Sequence, residues 1–134
     1  MRKLLLASVV ALLPAAAFGA DAALVRTPSF FKSQMTTDLF VRHYTEVADA
    51  SPIPVLLYNV TMYTGVTLQA EAVEALAVHP NIVGMKESGN DLILISECVA
   101  RTPDNWTVLA GSATTLFHSI CAGCDGAILA LASL

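Results

Sequence analysis

Five short apolar runs punctuate the chain, at Ala22–Thr27, Pro54–Tyr58, Ile82–Lys86, Thr107–Ala110 and Ala127–Leu131. They are continuous rather than alternating and rich in Val, Ile and Leu, the pattern of parallel strands covered on both faces. Helical spacing fills the gaps between them. Thr37–Ala50 places Phe40, Tyr44 and Val47 on one side, and Leu68–Val78 does the same with Leu68, Ala72, Val73 and Leu76 before stopping at His79-Pro80. Asp91–Arg101 begins after Asn90, a good N-cap, and ends before Pro103; Thr114–Ala122 follows Ser112, another cap candidate, and closes at Gly123. The order βαβαβαβαβ, without linkers or low-complexity runs, predicts an α/β fold around a parallel sheet.

Two architectures suit that order, an open doubly wound sheet and part of a (β/α)8 TIM barrel. The phosphate-binding fingerprints G-x-G-x-x-G and G-x-x-x-x-G-K-[ST] of open sheets are absent. A full barrel needs roughly 250 residues and eight strands. The chain has 134 residues and five strand-like runs, the last with no covering helix after it, so an incomplete barrel is expected. Half a barrel would leave two long unpaired edges.

Residues 1–19 read either as an apolar helix or as a signal-like segment, with residues 20–134 forming the barrel domain. Arg2 and Lys3 make a basic start, Leu4–Leu13 an apolar run, and Ala17-Phe18-Gly19 a small-residue cleavage pattern. Pro14 leaves the run too short to span a bilayer alone. Against a signal, Gly19-Ala20-Asp21-Ala22-Ala23-Leu24-Val25 recurs in type as Gly123-Cys124-Asp125-Gly126-Ala127-Ile128-Leu129, a glycine and an Asp-marked turn leading into a strand. The first reading places the protein in the cytoplasm, the second outside the cell.

Composition narrows the partners. The chain is 55% hydrophobic and only 13% charged, which excludes disorder. Seven basic against eleven acidic residues give a net charge of −4, which argues against nucleic acid. Three cysteines are too few for a disulfide scaffold. Cys121-Ala122-Gly123-Cys124 fits C-x-x-C but falls at a helix C-terminus, where thiolates are not activated, and structural thiols are expected. His43, His79 and His118 lack ligand spacing and read as structural or surface residues, so no metal is expected.

The candidate chemistry gathers at strand ends. In Asn81–Gly89 a lysine, Lys86, closes an otherwise apolar strand where a loop and helix begin. In a barrel such ends form the active-site face. Burial among apolar neighbours would lower the lysine pKa and leave an amine able to attack a ketone and form a Schiff base. The same position also suits an ordinary lysine snorkelling out at a strand end. Tyr58 ends the preceding strand, and equivalent ends of parallel neighbours lie side by side, so phenol and amine would share one pocket. Tyr58 is equally compatible with a half-buried tyrosine whose hydroxyl meets solvent. Gly111-Ser112-Ala113 ends a strand at a helix N-terminus, where backbone N–H groups either bind a carboxylate or simply cap the helix.

These segments together resemble a known family. Ser51–Val60 (SPIPVLLYNV), Thr64-Gly65, His79–Lys86 (HPNIVGMK), Ser88-Gly89 and Leu109–Ala113 (LAGSA), with Thr27-Pro28 and His43-Tyr44, are similar to the dihydrodipicolinate synthase/N-acetylneuraminate lyase family. Within it the 4-hydroxy-2-oxoglutarate aldolases are nearest in type. The resemblance runs from about Gly19 to Leu134. It implies a (β/α)8 barrel and a class I aldolase or lyase using neither metal nor cofactor. Lys86 would form the Schiff base with pyruvate or another small 2-oxo acid, Tyr58 would move protons, and Ser88 with Gly111 and Ser112 would hold substrate. It also implies a homo-oligomer with no membrane partner.

Several positions depart from the family pattern. No Gly-Thr-Thr-Gly-Glu-like carboxylate loop occurs, and the family's tyrosine pair after Thr-Pro reads Phe30-Phe31, which relays no proton. Tyr63 stands where some synthases carry arginine, and Thr61 where they carry proline. These substitutions place dihydrodipicolinate synthase, which condenses pyruvate with aspartate semialdehyde, second to the hydroxyoxoglutarate reading. A third reading, from another class, is a non-catalytic module whose sheet edges pair with another chain.

Overall fold

Each apolar run contributes to a strand. The structure is a computed structural model and describes residues 19–133. Apart from Gly19, the helical or signal-like segment expected at residues 1–19 lies outside the described residues. The strands are β1 (Ala23–Arg26), β2 (Val55–Asn59), β3 (Ile82–Glu87), β4 (Thr107–Ala110) and β5 (Gly126–Ala127). All neighbours pair in parallel, in the order β1-β2-β3-β4-β5. A doubly wound sheet reverses its strand order at a switch point, and this one never does. A strictly sequential parallel sheet is an arc of a (β/α)8 barrel.

The helices follow the apolar spacing. They are α1 (Thr37–Ala50), α2 (Thr61–Thr64), α3 (Ala70–Ala77), α4 (Leu92–Arg101) and α5 (Leu116–Cys121). Phe40, Tyr44 and Val47 of α1 are buried, as are Leu68, Ala72, Val73 and Leu76 around α3. All of these except Val47 pack with Leu57, Met85 and Val108 from the strands and Leu94 and Ile95 from α4. Fully burying a side chain such as Leu57 stabilises the fold by about 1.5–3 kcal/mol.

Four expectations are corrected. First, β1, β2 and β4 alternate in burial rather than being covered on both faces, as β3 does from Met85 onward: Leu57 and Met85 are fully buried, whereas Leu24 is 39% exposed and Lys86 half-buried. Among the described residues, the helices pack on one face of the sheet only. Second, α4 is capped by Asp91, not Asn90; the Asp91 carboxylate accepts from the Ile93 and Leu94 amides at 3.0 and 3.1 Å. Third, Ser112 is not a helix cap, because α5 begins only at Leu116. Fourth, β5 is two residues long, and Ala130–Ser133 turns into a 3-10 helix. The four-residue α2 was not foreseen; Gly65 closes it with a left-handed φ of 66°.

Candidate active site

Register decides which side chains meet. Arg26 pairs with Tyr58, Tyr58 with Lys86, Lys86 with Leu109, and Leu109 with Gly126, one residue from each strand at a single level of the sheet. Their inner neighbours Val25, Leu57, Met85 and Val108 pack against the helical layer. Side chains alternate along a strand, so the row from Arg26 to Gly126 stands on the open face.

On that face the Lys86 ammonium donates to the Tyr58 hydroxyl at 3.5 Å and lies 4.5 Å from the centre of its ring. Lys86 is half-buried there; the apolar burial expected for it belongs instead to Met85 on the covered face. The backbone of the β3–α4 loop is tied to its neighbours. The Ser88 amide donates to the Asn59 carbonyl at 2.9 Å and the Gly111 amide to the Glu87 carbonyl at 2.6 Å. The Ser88 hydroxyl is buried and has no hydrogen-bond partner. Gly111 lies close beneath: a Cβ there would collide with that hydroxyl and meet Lys86 Cε at 2.8 Å. Lys86, Tyr58, Ser88 and Gly111 are thus brought together. Ser112 instead bonds Asn90 at 3.1 Å and Thr114 at 2.9 Å in an exposed polar cluster.

A buried pair supports the row from the covered side. Asn59 and Glu87 are register partners at 0% and 2% exposure. Asn59 Nδ2 donates to Glu87 Oε2 at 2.5 Å and to the Leu68 carbonyl, while its Oδ1 accepts from the Leu68 amide. Glu87 Oε1 accepts from the Gly89 amide at 2.5 Å. Burial pushes the Glu87 carboxyl above the usual carboxylate range, against the lowering effect of these two hydrogen bonds. Each residue ends its strand directly after Tyr58 or Lys86, so the pair fixes where those two side chains leave the sheet. Sequence reading missed Asn59, Glu87 and Arg26. The available signal was polar residues at the ends of apolar runs, Arg26 ending β1 and Glu87 ending β3 one residue past Lys86.

The remaining candidates lie elsewhere. Cys98 and Cys124 are buried, and burial pushes the Cys98 thiol up to about 12 and raises Cys124, as suits inert thiols. Cys121 is exposed, so the C-x-x-C pair is not two buried structural thiols. His79 joins Asp49 at 3.1 Å and accepts from the Asn81 amide, a structural role. Phe30 and Phe31 pack edge to face with each other and are 89% and 59% exposed. Among the described residues no cluster of three His, Cys, Asp or Glu side chains is placed to hold a metal ion. No helix among them is long and apolar enough to cross a membrane.

The row is chemically capable. An amine beside a phenol is a nucleophile with a proton shuttle in reach, and an unpartnered serine hydroxyl nearby offers a hydrogen bond to a bound oxygen.

Comparison with known proteins gives a consistent answer. The family model described as "Dihydrodipicolinate synthetase family" matches residues 8–134. The 4-hydroxy-tetrahydrodipicolinate synthase of an Exiguobacterium species is 38% identical over 120 residues, covering 90% of this chain and 40% of that protein. Among solved structures, dihydrodipicolinate synthase from Bacillus anthracis superposes with a TM-score of 0.86 at 26% identity, over 92% of this chain and 42% of its own. The chloride-inhibited dihydrodipicolinate synthase from Acinetobacter baumannii, solved with pyruvate, gives 0.85 at 32% identity, with the same coverage of 92% and 42%. The chain spans about 40% of the length of the curated relatives it matches.

Proposed function

The chain belongs to the dihydrodipicolinate synthetase family, and we propose that its open face carries the imine-forming site of a Schiff-base aldolase or lyase acting on 2-oxo acids. The observation that carries this reading is the Lys86 amine within 3.5 Å of the Tyr58 hydroxyl, beside the unpartnered Ser88 hydroxyl.

In the proposed reaction the Lys86 amine, as its free base, attacks C2 of a 2-oxo acid. A C–N bond forms, the carbonyl oxygen leaves as water, and Tyr58 moves the protons this requires. The resulting cationic imine draws electrons from the adjacent C–C or C–H bond. Loss of a C3 proton gives an enamine, which attacks an aldehyde in the synthetic direction. In cleavage Tyr58 takes the C4 hydroxyl proton, the C3–C4 bond breaks with C4 leaving as an aldehyde and its electron pair entering the imine, and the enamine is protonated at C3 to an imine that water hydrolyses, freeing the Lys86 amine. The imine nitrogen is the electron sink, so these steps need no cofactor. Ser88 and Gly111 are proposed to hold the substrate beside Lys86; Ser112, whose hydroxyl is engaged by Asn90 and Thr114, would reach it only through its backbone.

Two substrates are supported by different observations. The name of the 38% identical relative favours pyruvate plus aspartate semialdehyde. Tyr63 in place of an arginine, with Ser88 two residues past the lysine, favours 4-hydroxy-2-oxoglutarate. A cytoplasmic location and a homo-oligomeric assembly are carried forward with this proposal.

Exchange of pyruvate C3 protons into deuterated water tests the imine–enamine step without a second substrate. Exchange is expected in the wild type, none in Lys86→Met, and a rate lowered about 10²–10⁴-fold in Tyr58→Phe. Exchange that survives loss of Lys86, or none in the wild type, refutes the reading.

A further inference from the structure

We propose that Arg26 binds a second carboxylate on the substrate, making the site selective for 2-oxo diacids over 2-oxo monoacids. The inference rests on the imine reading for what Lys86 does. It adds a residue to which that reading gives no role.

Arg26 closes β1 in register with Tyr58, the penultimate residue of β2, and through it with Lys86, the penultimate residue of β3. Val25 packs toward the helices, so Arg26 projects from the opposite, open face, and it is exposed. Two strand spacings separate Arg26 from Lys86, about 10 Å between Cα atoms. Both are long, flexible side chains with Tyr58 between them, so their charged ends can converge above its ring.

The charge pattern is one-sided. The ion pairs among the described residues are His79–Asp49, Arg101–Glu71 and Arg101–Glu74, and none uses Arg26. The other open-face positions on these strands, Leu24, Leu56, Gly84, Thr107, Leu109 and Gly126, supply no carboxylate. Two cations on an apolar, carboxylate-free face, with a buried unpartnered hydroxyl beside one of them, suit an anionic ligand with a charge at each end. A five-carbon diacid fits the span, since its four C–C bonds separate the carboxyl carbons by about 5 Å. Arginine suits this role because its planar fork binds a carboxylate through two parallel hydrogen bonds.

Glutarate and valerate differ only in the second carboxylate and have no ketone, so their binding does not depend on imine formation. Ligand-observed NMR with the full chain measures both against the wild type, Arg26→Gln and Arg26→Lys, with circular dichroism checking the fold. The wild type is expected to prefer glutarate. Arg26→Gln weakens glutarate binding by about tenfold or more and valerate by less than about twofold, and Arg26→Lys recovers part of the loss. Overturning results are no preference for glutarate in the wild type, glutarate binding unchanged in Arg26→Gln, or equal loss of both ligands. The pyruvate exchange experiment is a separate readout, so the failure of one proposal is distinguishable from failure of the other.

Discussion

Replacing Gly111 with alanine places one methyl group against the candidate nucleophile. The added Cβ would collide with the Ser88 hydroxyl and meet Lys86 Cε at 2.8 Å and the Glu87 carbonyl oxygen at 3.0 Å. Gly111 does not adopt a positive φ, so backbone strain plays no part. The Glu87 carbonyl is held by the amide of Gly111 itself at 2.6 Å and yields little. Relief therefore comes from Ser88 and the Lys86 side chain, which swings away from Tyr58. Overpacking of this kind costs about 1–3 kcal/mol, and about 4 °C of Tm accompanies each kcal/mol in a domain of this size. The Lys86–Tyr58 contact is already long at 3.5 Å, so a shift of about 1 Å breaks it. Misplacement on that scale lowers a rate by about 10²-fold. The assays are thermal denaturation and pyruvate C3 exchange, with Gly126→Ala as the stability control, because its Cβ would meet Leu109 at an ordinary 3.6 Å. Wild-type Tm and exchange rate in Gly111→Ala would refute the packing argument; a lowered Tm with an unchanged rate would refute its link to Lys86.

Two further outcomes concern the supports of the site. The Glu87 carboxyl is raised in the folded chain, so its contribution to stability is full below the ordinary value of about 4.3 and falls as pH rises through the raised value. Glu87→Gln removes that slope. It also costs about 1–3 kcal/mol at low pH, because one amide hydrogen must face either the Gly89 amide or Asn59 Nδ2, which Leu68 holds in place. Urea melts at about pH 4 and about pH 8 should show the gap to wild type narrowing as pH rises; a constant or widening gap contradicts this. Asn81 Nδ2 donates to the carbonyls of Ala48, Ser51 and Ile53 at 2.8, 3.1 and 3.3 Å, tying the start of β3 to the end of α1 and the turn that follows it. Asn81→Ala should lose about 1–3 kcal/mol and Asn81→Asp more, since a carboxylate would face three acceptors; equal melting of Asp and Asn forms would contradict it.

The fold was legible because its signals are long-range and repetitive. Five apolar runs separated by helical spacing leave little choice beyond a parallel α/β sheet, and Phe40, Tyr44 and Val47 are buried as their spacing indicates. What escaped depends on three dimensions or on very few residues. Composition alone does not reveal that only one face of Leu56-Leu57-Tyr58 is covered by helices, because an apolar run reads the same either way. Asn90 and Asp91 are both good caps, and only the geometry assigns the role to Asp91. At the site, Lys86 and Tyr58 were visible as residues closing apolar runs. Arg26 closes β1 in the same manner, but its relation to them needs the register of three strands. Glu87 looked like a loop residue, and only its burial against Asn59 reveals a support.

The central claim is that Lys86 is the amine that attacks a 2-oxo acid. Incubation of the full chain with pyruvate and borohydride, followed by peptide mass mapping, tests it most directly. The expected result is one reduced pyruvyl adduct, located on Lys86 and abolished in Lys86→Met. No adduct under conditions that label a dihydrodipicolinate synthase run in parallel, or an adduct spread over surface lysines such as Lys32, would contradict it.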